Sequence, residues 1–152
     1  GERVEHELML HCGMRMMHAL QNSSAPTLTV CIRKAFGLAW QAMNGSQMPA
    51  LGVYSWPGAE IGFMDPEVGV NVAFGSKLAR INDSEARESE RASLVREVGE
   101  STNPYEAAGT MRIDEIIDPG DTRGVLAHDL EMLAHRSVPP PEARPLSYWP
   151  TC

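Results

Sequence analysis

The sequence predicts an α/β fold, on three observations. Apolar residues recur every four positions near the start. Short β-branched or apolar runs follow at 28–32, 50–54 and 59–64. Between them a strand, a glycine turn, a helix and a further strand come in succession. That alternation builds helices layered on sheets rather than a helical bundle.

Each element has its own local cause. Val4, Leu8, Cys12, Met16 and Leu20 form one stripe, which predicts a helix over 3–21 whose face packs on a sheet or a partner. Met9, Met14, Met16 and Met17 crowd this helix, and packing is the economical reading of them. Asn22-Ser-Ser-Ala-Pro26 ends it in a turn. Leu28-Thr-Val-Cys-Ile32 reads as a strand covered on both faces. Residues 33–43 read as a glycine turn entering a short helix, stopped by Asn44-Gly45. A second strand is expected at 50–54, then the Trp56-Pro57-Gly58 turn and an apolar run at 59–64.

In the second half, capping signals dominate. Asp65-Pro66 starts a helix through Val68 and Val72, although Gly69 weakens it. Asp83 or Ser84 caps a charged helix reaching Glu100, whose charges read as a solvated face. Asn103-Pro104 opens a short helix that Gly109 stops, and 111–117 reads as a late strand anchored by Ile113, Ile116 and Ile117. Asp118-Pro119 is expected to start the last helix, running to about His135 with Val125, Leu126, Leu130 and Leu133 inward. The expected organisation is one domain over 1–136 and an extended tail over 137–152, where Trp149 would dock on the body or a partner.

Bulk properties narrow the function classes. With 152 residues and 43% hydrophobic content, one domain can bury about two-thirds of its unfolded surface. A net charge of -7 argues against a nucleic-acid or anionic-membrane binder. No run reaches the roughly 18 apolar residues of a membrane span, and the Glu2-Arg3 start is unlike a secretory signal, so a soluble cytoplasmic protein is expected. Cys12 and Cys31, both expected to be buried, and the terminal Cys152 form neither a disulfide framework nor a zinc site.

The segment that can carry chemistry is Lys34-Ala-Phe-Gly-Leu-Ala-Trp-Gln41. A glycine after a strand lets the backbone turn sharply, and the first turn of the next helix leaves amide protons for an anion. If Leu38 and Ala39 open the helix, their amides are placed for a developing oxyanion. Taken alone, such a junction is more often structural.

Four motifs in order make it specific. Residues 29–43 resemble the strand and oxyanion turn of the C-terminal domain in the carboxyltransferase β subunits of propionyl-CoA and acetyl-CoA carboxylases. Trp56-Pro-Gly-Ala-Glu-Ile-Gly-Phe-Met64 resembles the segment that follows there, and Asn103-Pro-Tyr-Glu-Ala-Ala108 and Ile113-Asp-Glu-Ile-Ile-Asp-Pro-Gly-Asp-Thr-Arg123 resemble its final motifs. The resemblance covers about residues 7 to 136.

It implies a crotonase-like fold, a β-β-α superhelix, and half of an active site. In that family the N-terminal domain organises the acyl-CoA and the C-terminal domain receives carboxybiotin from a carrier protein. Carboxyl release leaves charge on the ureido oxygen, the biotin then takes the acyl α proton, and the enolate attacks the released carbon dioxide. By resemblance the Leu38 and Ala39 amides are catalytic, Phe36, Gly37, Leu38 and Ala39 face biotin, and Trp40 and Gln41 face the acyl group; no metal is expected. Expected partners are an N-terminal carboxyltransferase domain or subunit, a biotin carboxyl carrier and biotin carboxylase, within a homo- or hetero-oligomer. Where many members read Tyr-Gly-Gly-Ala-Tyr, this chain has Phe36-Gly-Leu-Ala-Trp40. Gln41 stands where propionyl-CoA-type enzymes often carry Asp, which implies a different or longer acyl group. A component of a biotin-dependent decarboxylase and a noncatalytic assembly domain are the alternative readings.

Other polar residues carry weaker signals. Arg33 and Lys34 read as solvent-facing or paired, and Glu60 as a polar anchor. His128 and His135 could share a helix face but have no third metal ligand, and His6 and His11 on the first helix likewise lack one. Asp114, Glu115, Asp118 and Asp121 are irregularly spaced, and capping is preferred to magnesium binding or acid–base chemistry. Asp65 and Glu67 read as helix-start residues.

Overall fold

The structure, a computed structural model, describes residues 2–46 and 48–134. The chain runs α1 (Glu2–His6), α2 (Met9–Gln21), β1 (Leu28–Cys31), β2 (Lys34–Phe36), α3 (Gly37–Ala42), β3 (Gly52–Ser55) and β4 (Glu60–Gly62). It continues through α4 (Pro66–Leu78), α5 (Ser84–Glu100), α6 (Pro104–Gly109), β5 (Glu115–Ile116) and α7 (Thr122–Ala134).

Two small parallel sheets organise these elements. One has the order β1-β3-β5 and the other pairs β2 with β4. Leu28 lies opposite Gly52 in the first sheet and Lys34 opposite Glu60 in the second. Strand, strand and helix thus recur as β1-β2-α3 and β3-β4-α4, and each repeat adds one strand to each sheet. Backbone bonds at the crossovers hold the repeats in step, from Trp56 N to Cys31 O at 3.0 Å and from Glu60 N to Arg33 O at 2.6 Å.

Cys31, Ala35, Trp40, Val53, Ala59, Ile61, Ala107 and Ile113 form the main buried core. Burying such side chains supplies roughly 1.5–3 kcal/mol for each large one, and it ties β1, β2, β3, β4, α3 and α6 together. A second core, Val70, Leu78 and Leu94 with Phe74, Ile81, Val95 and Val98 around it, joins α4 to α5. The charged face of α5 is exposed, as its sequence predicts.

Local chemistry placed several helix starts correctly. Asp65 accepts from Glu67 N at 3.0 Å at the head of α4. Asp83 accepts from Ala86 N at 3.1 Å, and Asn103 accepts from Glu106 N at 3.0 Å. These side chains satisfy amides that a helix start leaves without acceptors.

Other expectations are corrected. The first helix is two helices, because Leu8 adopts φ 65° and breaks the run. Its stripe is not a buried face: no residue of α2 is buried, Leu8 is 63% exposed, and Cys12 is exposed while Cys31 is buried. Asp118-Pro119 does not open α7. The Asp118 carboxylate accepts from Gly120 N at 2.8 Å, a local turn that delays the helix to Thr122. Nor does α7 bury an apolar side; Leu130 is exposed, while Val125, Leu126 and Leu133 are half-buried.

The late strand shrinks to two residues because Met111 turns left-handed at φ 55° and the Asp114 carboxylate, not a carbonyl, accepts from Val53 N at 2.8 Å. Strand β2 is an addition, since the sequence reads as turn and helix there. The tail 137–152, with Trp149 and Cys152, and also His135, lies outside the described residues.

Candidate functional site

Helix α3 sits where the second sheet ends, and its position follows from one residue. Phe36 is still extended at φ -120°, ψ 138°, and Gly37 then takes φ 57°, a left-handed turn that costs other residues roughly 1–2 kcal/mol. A Cβ on Gly37 would meet the Phe63 carbonyl oxygen at 3.0 Å. The backbone therefore passes close under β4 and enters the helix at once. Within α3, Gly37, Leu38 and Ala39 are the first three residues, so their amides have no acceptor one turn earlier in the helix.

The far end of α3 is clamped. Trp40 is buried, its indole Nε1 donates to Ser46 Oγ at 3.3 Å, and Gly45 lies flat against the ring. Asn44, left-handed at φ 63°, donates from Nδ2 to Thr27 Oγ1 at 2.8 Å, while its carbonyl accepts from Thr29 Oγ1 at 2.8 Å. These bonds fix α3 against β1 and so fix the direction of its first turn.

Three hollows surround α3. One of about 370 Å³ runs along β1 and β2, lined among others by Cys31, Arg33, Lys34, Phe36, Ala39 and Trp40. A second of about 360 Å³ is lined by Gly37, Leu38, Trp40, Gln41, Ser46, Gly62, Phe63 and Arg112. The third, of about 460 Å³, lies between α2 and α3, where Met9, Leu10, Cys12 and Met16 face Leu38, Ala39 and Met43. The six residues singled out by sequence are thus contiguous, but they divide among hollows, with Leu38 shared between the second and third. Sequence reasoning passed over Ser46, Phe63 and Arg112, which come from separate segments. The one local signal was a basic residue, Arg112, between a capped short helix and a late strand.

Electrostatics near the site are local. Lys34 Nζ lies 2.8 Å from Asp65 Oδ2 and 3.9 Å from Glu60 Oε2, and 5.8 Å from the centroid of the Phe36 ring. The hydrogen bond to Asp65, then the Glu60 charge, raises the Lys34 pKa, and the same hydrogen bond lowers that of Asp65. Lys34 is therefore paired, as the sequence reading allowed, and Glu60 is its half-buried neighbour. Burial pushes the Cys31 thiol up, which suits packing and not nucleophilic attack. Further away, burial and a hydrogen bond to Asp129 raise the Tyr54 hydroxyl pKa. Among the described residues no group of three or more His, Cys, Asp or Glu side chains is placed to hold a metal ion, and no helix is long and apolar enough to cross a membrane.

Comparison with known proteins bears on this geometry. The carboxyl transferase domain family matches residues 1–145. The carboxyltransferase subunit of propionyl-CoA carboxylase from Haloferax mediterranei is 35% identical over 144 residues, covering 95% of this chain and 28% of that protein. The methylmalonyl-CoA carboxyltransferase 12S subunit of Propionibacterium freudenreichii subsp. shermanii is 36% identical over 135 residues, covering 88% of this chain and 25% of its own length. A transcarboxylase 12S crystal structure, a hexamer with methylmalonyl-coenzyme A and methylmalonic acid bound, superposes with a TM-score of 0.77 at 34% identity, over 95% of this chain and 27% of that one. The chain thus spans about a quarter of the length of the relatives it matches.

Proposed function

This chain belongs to the carboxyl transferase domain family, and from that premise we propose that it forms the carboxybiotin-facing part of an acyl-CoA carboxyltransferase. The reaction moves a carboxyl group from carboxybiotin, presented by a carrier protein, to the α carbon of an acyl-CoA. The observation that carries this reading is the left-handed Gly37 turn from β2 into α3.

Carboxybiotin supplies an activated carboxyl group, whose departure puts negative charge on the ureido oxygen. The residues of this chain answer that charge with backbone. The amides of Leu38 and Ala39 stand in the first turn of α3, where a preorganised donor gains strength against an oxygen as charge develops. Because the donor is backbone, the Leu38 side chain, 44% exposed, does not block the role. Phe36 and Gly37 shape the approach, and Trp40, packed on Gly45, keeps α3 from shifting. Gln41 lines the hollow beside Leu38, where an acyl group would lie.

The site is incomplete in this reading. Relatives extend over about four times the matched length, and the open groove beside α2 suits coverage by an N-terminal carboxyltransferase domain. Biotin carrier and biotin carboxylase are the further partners proposed, in an oligomeric assembly. The test is carboxyl transfer from carboxybiotin to a panel of acyl-CoAs, with the chain alone and combined with an N-terminal carboxyltransferase portion. Transfer only in the combined sample is expected. No transfer despite verified assembly would turn the reading toward a structural domain, and transfer by the chain alone would overturn the incomplete site.

A further inference from the structure

We propose that Arg112 binds a carboxylate in the hollow between α3 and the end of β4, and that this carboxylate is the carboxyl group being transferred. The inference deepens the carboxyl-transfer reading and rests on it. Its physical basis is the lining of the hollow. Arg112 is the only charged residue among the described residues that line it, and no carboxylate among the described residues lies within ion-pair distance of its guanidinium. A half-buried guanidinium that lines an open hollow and has no carboxylate partner among the described residues is suited to pair with an anion there.

The arginine is held in place. Its Nε donates to Thr110 Oγ1 at 3.0 Å, and that hydroxyl in turn donates to Glu106 O at 2.8 Å at the end of α6. Arg112 N donates to Ala107 O at 2.8 Å, and Met111, left-handed and 93% exposed, makes the turn that brings Arg112 round. With Nε engaged, the two terminal nitrogens remain to grip a planar anion with two oxygens. Ser46 accepts from Trp40 Nε1 and keeps its own proton to donate.

The single positive charge of the site favours a singly charged carboxylate over a phosphate. The rest of the lining, Gly37, Leu38, Trp40, Gln41, Ser46, Gly62 and Phe63, carries no charge, so one guanidinium would face a doubly charged phosphate with no second cation. The net charge of -7 also disfavours anions in general, so binding must come from this local contact. In carboxyl transfer, a carboxylate is present on the donor before the N–C bond breaks and on the α carbon after the C–C bond forms. A guanidinium beside the Leu38 turn would orient that group at both ends of its path.

Binding of small thioesters to the 152-residue chain tests this, read by NMR titration. Wild type should bind malonyl-N-acetylcysteamine roughly tenfold tighter than acetyl-N-acetylcysteamine, as a charge-assisted contact warrants. Arg112→Gln should erase the preference and Arg112→Lys should keep part of it, each with an otherwise unchanged amide spectrum. Equal binding of the two thioesters by wild type, or a preference that survives Arg112→Gln, overturns the proposal. If succinyl-N-acetylcysteamine binds wild type as well as the malonyl compound, the site reads a remote carboxylate, and the assignment to the migrating group is wrong. A chain that shows the malonyl preference yet transfers no carboxyl group in the assembled enzyme keeps the anion site and sinks the activity.

Discussion

The backbone of Gly37 passes beneath the carbonyl of Phe63, so closely that a Cβ at Gly37 would stand 3.0 Å from that oxygen. At φ 57° the residue also occupies a region that side chains disfavour. Gly37→Ala should therefore lower stability by about 1–2 kcal/mol, the ordinary cost of the left-handed region, with the contact adding to it. Urea unfolding measures this. A variant as stable as wild type would mean that the turn is not strained, and that α3 is free to begin elsewhere.

The ion pair between Lys34 and Asp65 predicts a pH dependence with a definite sign. Asp65 titrates below its ordinary 3.8, so its contribution is present above that pH and lost as pH falls through the lowered value. Lys34 titrates above its ordinary 10.5, so its contribution is present below that pH and lost as pH rises through the raised value. Asp65→Asn keeps a cap for α4 while removing the charge. The variant should be less stable than wild type between these limits, with the gap closing on either side. Denaturation midpoints across pH read it, and a gap independent of pH would remove the electrostatic account.

Met111 holds a left-handed conformation at φ 55° while its side chain is 93% exposed, so strain is present and packing is not. Met111→Gly should relieve it and stabilise by up to about 1 kcal/mol, since the relief exceeds the added freedom of glycine in the unfolded chain. A thermal midpoint below wild type would show that the methionine makes a contact worth more than the strain.

What was legible in the sequence was what short-range chemistry decides. Asp65, Asp83 and Asn103 cap helices through amides two or three residues away, and those helices stand where the sequence placed them. The Gly37 turn was legible because the left-handed region selects glycine. The errors share the opposite property. Asp118-Pro119 resembles a cap, but Gly120, two residues on, offers the same carboxylate a tighter turn. Strand β2 exists only because Lys34 finds Glu60 across a parallel register, 26 positions away, and three residues carry too little pattern to announce it. Leu8 carries no sequence mark of its left-handed break. The hollow holding Arg112 is assembled from α3, Ser46, the end of β4 and the loop after α6, so its lone charge was invisible until those segments met.

Gln41 supplies the last prediction because it lines the hollow with Leu38 and Arg112 and is half-buried there. Replacing it by Asp places a negative charge in a space where Arg112 is the only charged described neighbour. The new carboxylate should draw the guanidinium toward itself and, on the carboxyl-transfer reading, add a solvated group beside the acyl chain. On the carboxyl-transfer reading, with the chain combined with an N-terminal carboxyltransferase portion, Gln41→Asp should shift the ratio of kcat/KM for long over short acyl-CoAs by roughly tenfold toward short, the low end of what one methylene is worth in an apolar pocket. It should also weaken the malonyl preference of the isolated chain, because the new carboxylate would compete with the thioester's for the guanidinium and offset its charge. A rate series with an unchanged ratio would remove Gln41 from the acyl path, and an unchanged malonyl preference would separate it from Arg112.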